Sequence, residues 1–142
     1  MAATTRRRLQ RVYRMTLTSD PKNIHRVEQF LLDVDSAVKI GEEKLSTLLV
    51  VLTEAVNNAI IHGNKRDRTK RVVVSCRLQG DELVTTVKDE GGGFDPDALP
   101  DPVHKDNLLR ESGRGVFLIR QMMESVRYNA KGNEVTMRMK IR

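Results

Sequence analysis

The sequence is poor in cysteine and aromatic residues and has no long hydrophobic run. Its 142 residues include one cysteine, Cys76, which excludes an internal disulfide and indicates a reducing, cytoplasmic environment. Cys76 lies in a strand-like run, so we expect a buried small hydrophobe and not a reactive thiol. Aromatic residues make up 4% of the chain, which leaves few side chains for stacking on bases. No apolar run approaches the roughly 20 residues of a membrane span, so no membrane partner is expected.

The net charge of +6 is distributed unevenly along the chain. Arginines dominate the first residues, and a second basic cluster lies between Lys65 and Arg71. Segment 81–111 has nine acidic residues against three basic ones. This pattern indicates a basic arm and an acidic middle, not one continuous basic face. We therefore expect no direct binding of nucleic acid as the main function, and binding through the arm remains an alternative.

The periodicity of apolar residues predicts the element order β-α-α-β-β-loop-α-β-β. The first helix is expected to end at Gly41, and the second to end near Gly63 with that glycine in the left-handed conformation. A third helix is predicted over 116–126. The fold class is α+β, a two-layer sandwich of a mostly antiparallel mixed sheet with about three helices on one face. Residues 1–11 form the basic arm, and residues 12–142 form one domain.

The segment EAVNNAIIHGN, residues 54–64, lies on the second predicted helix. Glu54 and Asn58 are four residues apart and share one face. Because the apolar residues form the core stripe, this face is expected to point away from the core. A carboxylate beside an amide oxygen suits a general base next to a magnesium ligand. A solvated polar face with an incidental Glu/Asn pair is the commoner cause of such spacing, and both interpretations stay open at this point.

Three consecutive glycines follow a predicted strand in DEGGGFD, residues 89–95. Without Cβ atoms, the glycines allow the backbone to approach a flat ligand closely. Asp89, just before them, can accept a hydrogen bond from an exocyclic amine. A flexible loop has a similar composition, so this motif alone is weakly specific.

A glycine-flanked turn opens the third predicted helix in SGRGVFLI, residues 112–119. Free backbone amides at a helix start, together with the positive end of the helix dipole, bind phosphate oxygens. The amides in question belong to Gly113, Arg114, Gly115 and Val116. An ordinary capped helix start is the alternative. The phosphate motifs GxxxxGK(S/T) and GxGxxG between strand and helix are absent from the sequence.

The order of these motifs resembles the N, G1 and G2 boxes of the GHKL ATPases, which include histidine kinases, gyrase and mismatch-repair ATPases. Within that superfamily, TEAVNNAIIHG, VKDEGGGFD and GRGVFLI look most like the bacterial anti-sigma-factor serine kinases. The resemblance extends from about Tyr13 to Ile141. It implies the Bergerat fold, use of ATP and Mg2+, phosphorylation of a serine on an anti-anti-sigma protein of the STAS type, and sequestration of a sigma factor. It also implies that homodimerisation is a hypothesis to test.

The resemblance assigns roles to matching positions. Glu54 would be the general base on the serine hydroxyl of the partner, and Asn58 would hold magnesium between the phosphates. Asp89 would receive the adenine amino group, with Gly91 and Gly93 forming the wall of the adenine pocket. The residues that would wrap the phosphates are Gly113, Arg114, Gly115 and Val116.

Segment 95–111 would form a lid over ATP, and its end departs from the family pattern. Some relatives place an arginine immediately before the Ser-Gly of the lid, where this chain has Glu111. Arg110 or Arg114 could substitute, or phosphotransfer could be weak. The main alternative is therefore an ATP-gated anti-sigma or adaptor module without phosphotransfer. A detached histidine-kinase ATPase domain is less expected, because no dimerisation helix with a phosphoacceptor histidine precedes the domain.

Overall fold

A computed structural model of the chain describes residues 11–92 and 119–142. The strands are β1 (Val12–Thr18), β2 (Arg71–Gln79), β3 (Glu82–Lys88), β4 (Ser125–Tyr128) and β5 (Glu134–Lys140). The helices are a short 3-10 helix (Pro21–His25), α1 (Arg26–Val38) and α2 (Glu42–Asn58), which continues into a π turn (Ala59–Gly63). Residues 119–122 are helical where the description resumes. This order confirms the order predicted from periodicity.

The five strands form one sheet in the order β1-β2-β3-β5-β4. Every pairing in the described part is antiparallel, so the expected mixed character is absent there. The row Met15, Val74, Val87 and Val135 runs across four strands in register. These side chains belong to a core cluster that α1 and α2 cover. The α+β class with two layers is therefore confirmed.

Helix α2 supplies the centre of the core. Leu48, Val51, Leu52 and Val56 have no exposed surface, as expected for an apolar stripe at three- and four-residue spacing. The helical segment Glu42–Gly63 spans 22 residues, with a mean hydropathy of 1.4 over its most apolar window. By length and composition alone, this segment would suit a bilayer, although the sequence contains no uninterrupted apolar run of that length. The polar residues between the apolar ones interrupt the run in sequence, whereas the apolar side chains pack on the sheet.

Two helix boundaries differ from the prediction. Lys39, with φ 59°, takes the left-handed position that ends α1, and Gly41, with φ 95°, instead precedes α2. The Asp35 carboxylate accepts hydrogen bonds from the amides of Ile40 and Gly41, which fixes the link between the helices. The third helix ends at residue 122 and not at 126, because the chain enters β4 at Ser125.

Cys76 is fully buried on β2, and its sulfur lies 3.4 Å from the Thr85 hydroxyl on β3. Burial raises the pKa of the Cys76 thiol to about 11, with a smaller opposing effect from the Thr85 contact. The prediction of a buried, inert cysteine is confirmed.

We expect Cys76 to resist an aromatic disulfide reagent in the folded protein. At pH 8, a pKa of about 11 leaves about one thiol in a thousand as thiolate, and the sulfur is inaccessible. The absorbance of the released chromophore measures the reaction, and the protein unfolded in guanidinium serves as the control. Stoichiometric reaction of the folded chain at the rate of the unfolded chain would contradict this expectation.

Candidate functional site

Asp89 follows β3 directly and is held from several sides. Its side chain is buried, and one carboxylate oxygen accepts a hydrogen bond from the Gly91 amide at 2.8 Å. The Asp89 amide donates to the Asn133 carbonyl, and the Asn133 side-chain amide donates to the Asp89 carbonyl. The turn before β5 therefore fixes the backbone of Asp89, and the first glycine of the run fixes its carboxylate.

The electrostatics of Asp89 favour a ligand that donates a hydrogen bond. Burial raises the pKa of this carboxyl above its ordinary value, against the lowering effects of the Gly91 amide and of Lys131 and Lys70. The folded state therefore binds the proton more tightly than the unfolded state, and this contribution to stability is lost as pH rises through the folded pKa. At neutral pH the ionised carboxylate carries a desolvation cost, which a donor on a bound ligand would offset.

Gly63 and Gly91 bring the ends of α2 and β3 into direct contact. A Cβ atom on Gly63 would lie 2.3 Å from a carboxylate oxygen of Asp89. A Cβ atom on Gly91 would lie 1.9 Å from the Gly63 carbonyl oxygen. The prediction of a left-handed Gly63 is wrong, because the positive φ angles occur later, at Lys65 and Arg66. Gly63 is needed for close approach, not for its backbone conformation.

A π turn, Ala59–Gly63, places Gly63 and Asn64 at this contact. The Asn64 amide donates to the Ala59 carbonyl, five residues back, at 2.8 Å. Single π turns inside helices are uncommon and often occur at functional sites.

Asn64 joins three parts of the fold through its buried side chain. Its amide nitrogen donates to the Ser19 hydroxyl at 2.7 Å and to the Arg71 carbonyl at 3.0 Å. Its amide oxygen accepts from the Glu90 amide at 2.8 Å. These bonds connect the ends of β1, α2 and β3 and the start of β2. Asn64 is therefore a positioning residue for the loop that carries Asp89.

Asn58 is the last residue of α2, its side chain lies on the side of the sheet, and the residue is 8% exposed. Its side-chain nitrogen is the one fully buried side-chain polar atom without a hydrogen-bond partner in the described ranges. Asn58, Asp89 and Asn133 line one cavity of about 20 Å³, enough for about one water molecule. The expectation that Asn58 points away from the core is wrong, because α2 turns this residue toward the end of β3 and the start of β5.

Glu54 lies one helical turn before Asn58 and is half-buried. Within residues 11–92 and 119–142 it has no hydrogen bond or ion pair. Its carboxylate therefore has no structural partner there to constrain it.

The structure thus brings Asn58, Asp89 and Gly91 together and places Glu54 nearby. Gly93, the lid segment and the predicted phosphate-binding residues Gly113, Arg114, Gly115 and Val116 lie outside the described residues. Sequence reasoning missed Gly63, Asn64 and Asn133 as site residues. The signals were present: HGN directly follows the helix motif, and Gly-Asn directly precedes β5.

The histidine kinase-like ATPase domain family matches residues 17–139 of the chain. The anti-sigma F factor of Oceanobacillus iheyensis is 34% identical over 102 residues, which cover 70% of this chain and 67% of the relative. The anti-sigma F factor of Clostridium perfringens (strain SM101 / Type A) is 30% identical over 112 residues, covering 78% and 77%. The serine-protein kinase RsbW of Bacillus subtilis is 28% identical over 130 residues, covering 87% and 81%. These similarities confirm the resemblance inferred from the three motifs.

We expect Gly91→Ala to destabilise the protein by about 1–3 kcal/mol, because the new methyl group overlaps the Gly63 carbonyl. Gly92→Ala is the matched control: nothing lies within 4 Å of its Cβ position, and its φ is not positive. The control is expected to change stability by less than about 0.5 kcal/mol. Urea unfolding measures both, and equal midpoints for the two variants would contradict the contact.

We expect Asn64→Ala to lower the free energy of unfolding by about 2–3 kcal/mol, because buried partners lose their hydrogen bonds. Asn57→Ala, at a half-buried position near the end of α2, is the control and is expected to have a small effect. Hydrogen exchange at the Glu90 amide reports the local contact. An exchange rate unchanged by Asn64→Ala would exclude the positioning role.

Proposed function

Because the chain belongs to the histidine kinase-like ATPase domain family, we propose that it is an ATP-dependent serine kinase of the anti-sigma-factor type. Its substrate is a serine on an anti-anti-sigma protein, and it sequesters a sigma factor. The observation that carries the proposal is the shared cavity of Asn58 and Asp89, with the unconstrained Glu54 one turn away. The names of the relatives, anti-sigma F factor and serine-protein kinase, support the same function.

Asp89 receives the adenine amino group of ATP. Its buried carboxylate is oriented by the Gly91 amide and retains lone pairs for a second donor. Gly91 and Gly93 form the wall of the adenine pocket, where the absence of side chains permits close approach of a planar base.

Asn58 holds magnesium, and its chemistry fits this role. Magnesium binds oxygen ligands, keeps several waters and takes much of its coordination from substrate phosphates. The Asn58 amide oxygen is a ligand of this kind, and the amide nitrogen, which has no partner among the described residues, could donate a hydrogen bond to a phosphate oxygen. No group of three or more His, Cys, Asp or Glu suited to a metal occurs among the described residues, so the phosphates would complete the site. Magnesium offsets the charge that develops on the transferred phosphoryl group.

Glu54 acts as the general base. It accepts the proton of the serine hydroxyl of the partner while the serine oxygen bonds to the γ-phosphorus and the bond to the bridging oxygen of ADP breaks. The residues that wrap the phosphates remain Gly113, Arg114, Gly115 and Val116, under the lid 95–111. The anti-anti-sigma partner is of the STAS type, the protein acts in the cytoplasm, and homodimerisation remains a prediction.

A transfer assay with labelled ATP and the cognate anti-anti-sigma protein tests the function. We expect Glu54→Gln to lower the transfer rate by about 10²- to 10⁴-fold while ATP affinity stays near that of the wild type. Asp89→Asn is expected to lose ATP binding, because an amide donor then opposes the adenine amino group. Asn57→Ala serves as a folded control on the same helix.

The outcomes separate the two candidate functions. Wild-type protein that binds ATP without transferring phosphate would establish the ATP-gated binding module. The sequence argument for that module is Glu111, which directly precedes the glycine-flanked turn at residues 112–119. Unchanged transfer by Glu54→Gln would remove Glu54 from the mechanism.

A further inference from the structure

The open face of the sheet, opposite the helices, carries a strong excess of positive charge. Alternate residues of each strand point to this face, and the strand register identifies them. The basic residues of the face are Arg14, Arg71, Arg77, Lys88, Arg127, Arg138 and Lys140. The acidic ones are Glu82 and Glu134. The helices α1 and α2 carry the opposite excess, with six acidic residues against two basic ones.

The sequence predicted no continuous basic face, and the described strands correct this. The basic residues are far apart along the chain, from Arg14 on β1 to Lys140 on β5. Antiparallel pairing places them side by side, because Arg77 and Arg138 both flank Val84 in the register. From the described part of the acidic segment, residues 81–92, the charged residues on this face are Glu82 and Lys88.

Two of the seven basic residues of this face form ion pairs with described residues. Arg138 contacts Glu82 at 3.7 Å, and Lys140 contacts Asp81 at 3.5 Å. The other five basic residues have no ion pair within the part of the chain that the structure describes. Arg14, Lys88 and Arg127 are exposed.

Among the described residues, the face has little of the apolar centre that is typical of a protein interface: Val73 is half-buried, between Thr16 and Lys88 in the register. Val84 lies between Arg77 and Arg138 but is 1% exposed, since long arginine stems cover apolar surface beneath them. The one exposed large hydrophobic residue of the face among the described residues is Val12, at its edge. Hydroxyl groups occupy many positions between the charges: Thr16, Thr18, Ser75, Thr86, Ser125 and Thr136.

We propose that this open sheet face binds nucleic acid through the phosphodiester backbone, without base preference. Arginine guanidinium groups and hydroxyl groups are the side chains that contact phosphate oxygens. With strands about 4.8 Å apart, Arg14 on β1 and Arg127 on β4 lie about 19 Å apart, a span that faces several phosphates of a duplex.

Fluorescence anisotropy with a labelled 25-base-pair DNA of mixed sequence, and the matching RNA duplex, tests the proposal on the full chain. The variant combines Arg14→Gln, Arg77→Gln and Arg127→Gln. The control removes the same charge from the helix side with Lys22→Gln, Arg26→Gln and Lys44→Gln. ATP binding verifies that both variants are folded. We expect wild-type dissociation constants of about 10⁻⁴–10⁻⁶ M at physiological salt.

The face variant is expected to bind at least about tenfold more weakly, with a salt dependence shallower by about three units, while the control changes less than about threefold. Equal loss in DNA and RNA supports backbone recognition. Wild-type affinity in the face variant overturns the proposal. Loss of binding only on deletion of residues 1–11 assigns it to the arm instead. The proposal is also overturned if the wild-type protein does not bind nucleic acid and the face variant instead loses binding to an acidic protein. None of these results depends on phosphate transfer.

Discussion

The end of α2 and the end of β3 meet where neither backbone has room for a side chain. Gly63 faces the carboxylate of Asp89, and Gly91 faces the carbonyl of Gly63. Because the atoms on both sides are already in close contact, the two segments can pack together in very few arrangements. The helix that carries Glu54 and Asn58 is thereby placed against Asp89. Without that contact, the two motifs would be separate features of one chain.

The hydrogen bonds of Asn64 also stabilise this junction between the end of α2 and the end of β3. Ser19 at the end of β1 and Glu90 after β3 share one buried amide as partner, so the junction and the sheet edge form one unit. A buried polar network is favourable only when its members are satisfied, and Asn64 satisfies both ends of its amide. The unsatisfied amide of Asn58 stands in contrast to it. One asparagine is fully bonded within the scaffold, and the other has a side-chain nitrogen without a partner among the described residues.

The sequence predicted the elements of the fold well because their periods of 3.6 and 2 are local properties. It also predicted that Asp89 directly follows a strand, because a strand followed by an acid and glycines is a local pattern; its role in binding adenine stays a prediction. It failed at Gly63, where the requirement for glycine comes from a residue 26 positions later. It failed at Asn58, because helical spacing gives a shared face but not the direction of that face at a helix end. The basic sheet face was missed for a similar reason: Arg77 and Arg138 become neighbours of Val84 only through strand pairing.

The unequal charges of the two layers also affect the protein before any contact is made. The helix layer is acidic and the open sheet face is basic, so the charges of the described residues give an electric dipole moment directed from the helices to the sheet. In the field of a negatively charged body, such a dipole experiences a torque that turns the sheet toward that body. An approaching protein of this kind would arrive already oriented, with its helices outward. Because salt screens the field over about 8 Å at physiological ionic strength, this alignment would act only in the last steps of approach.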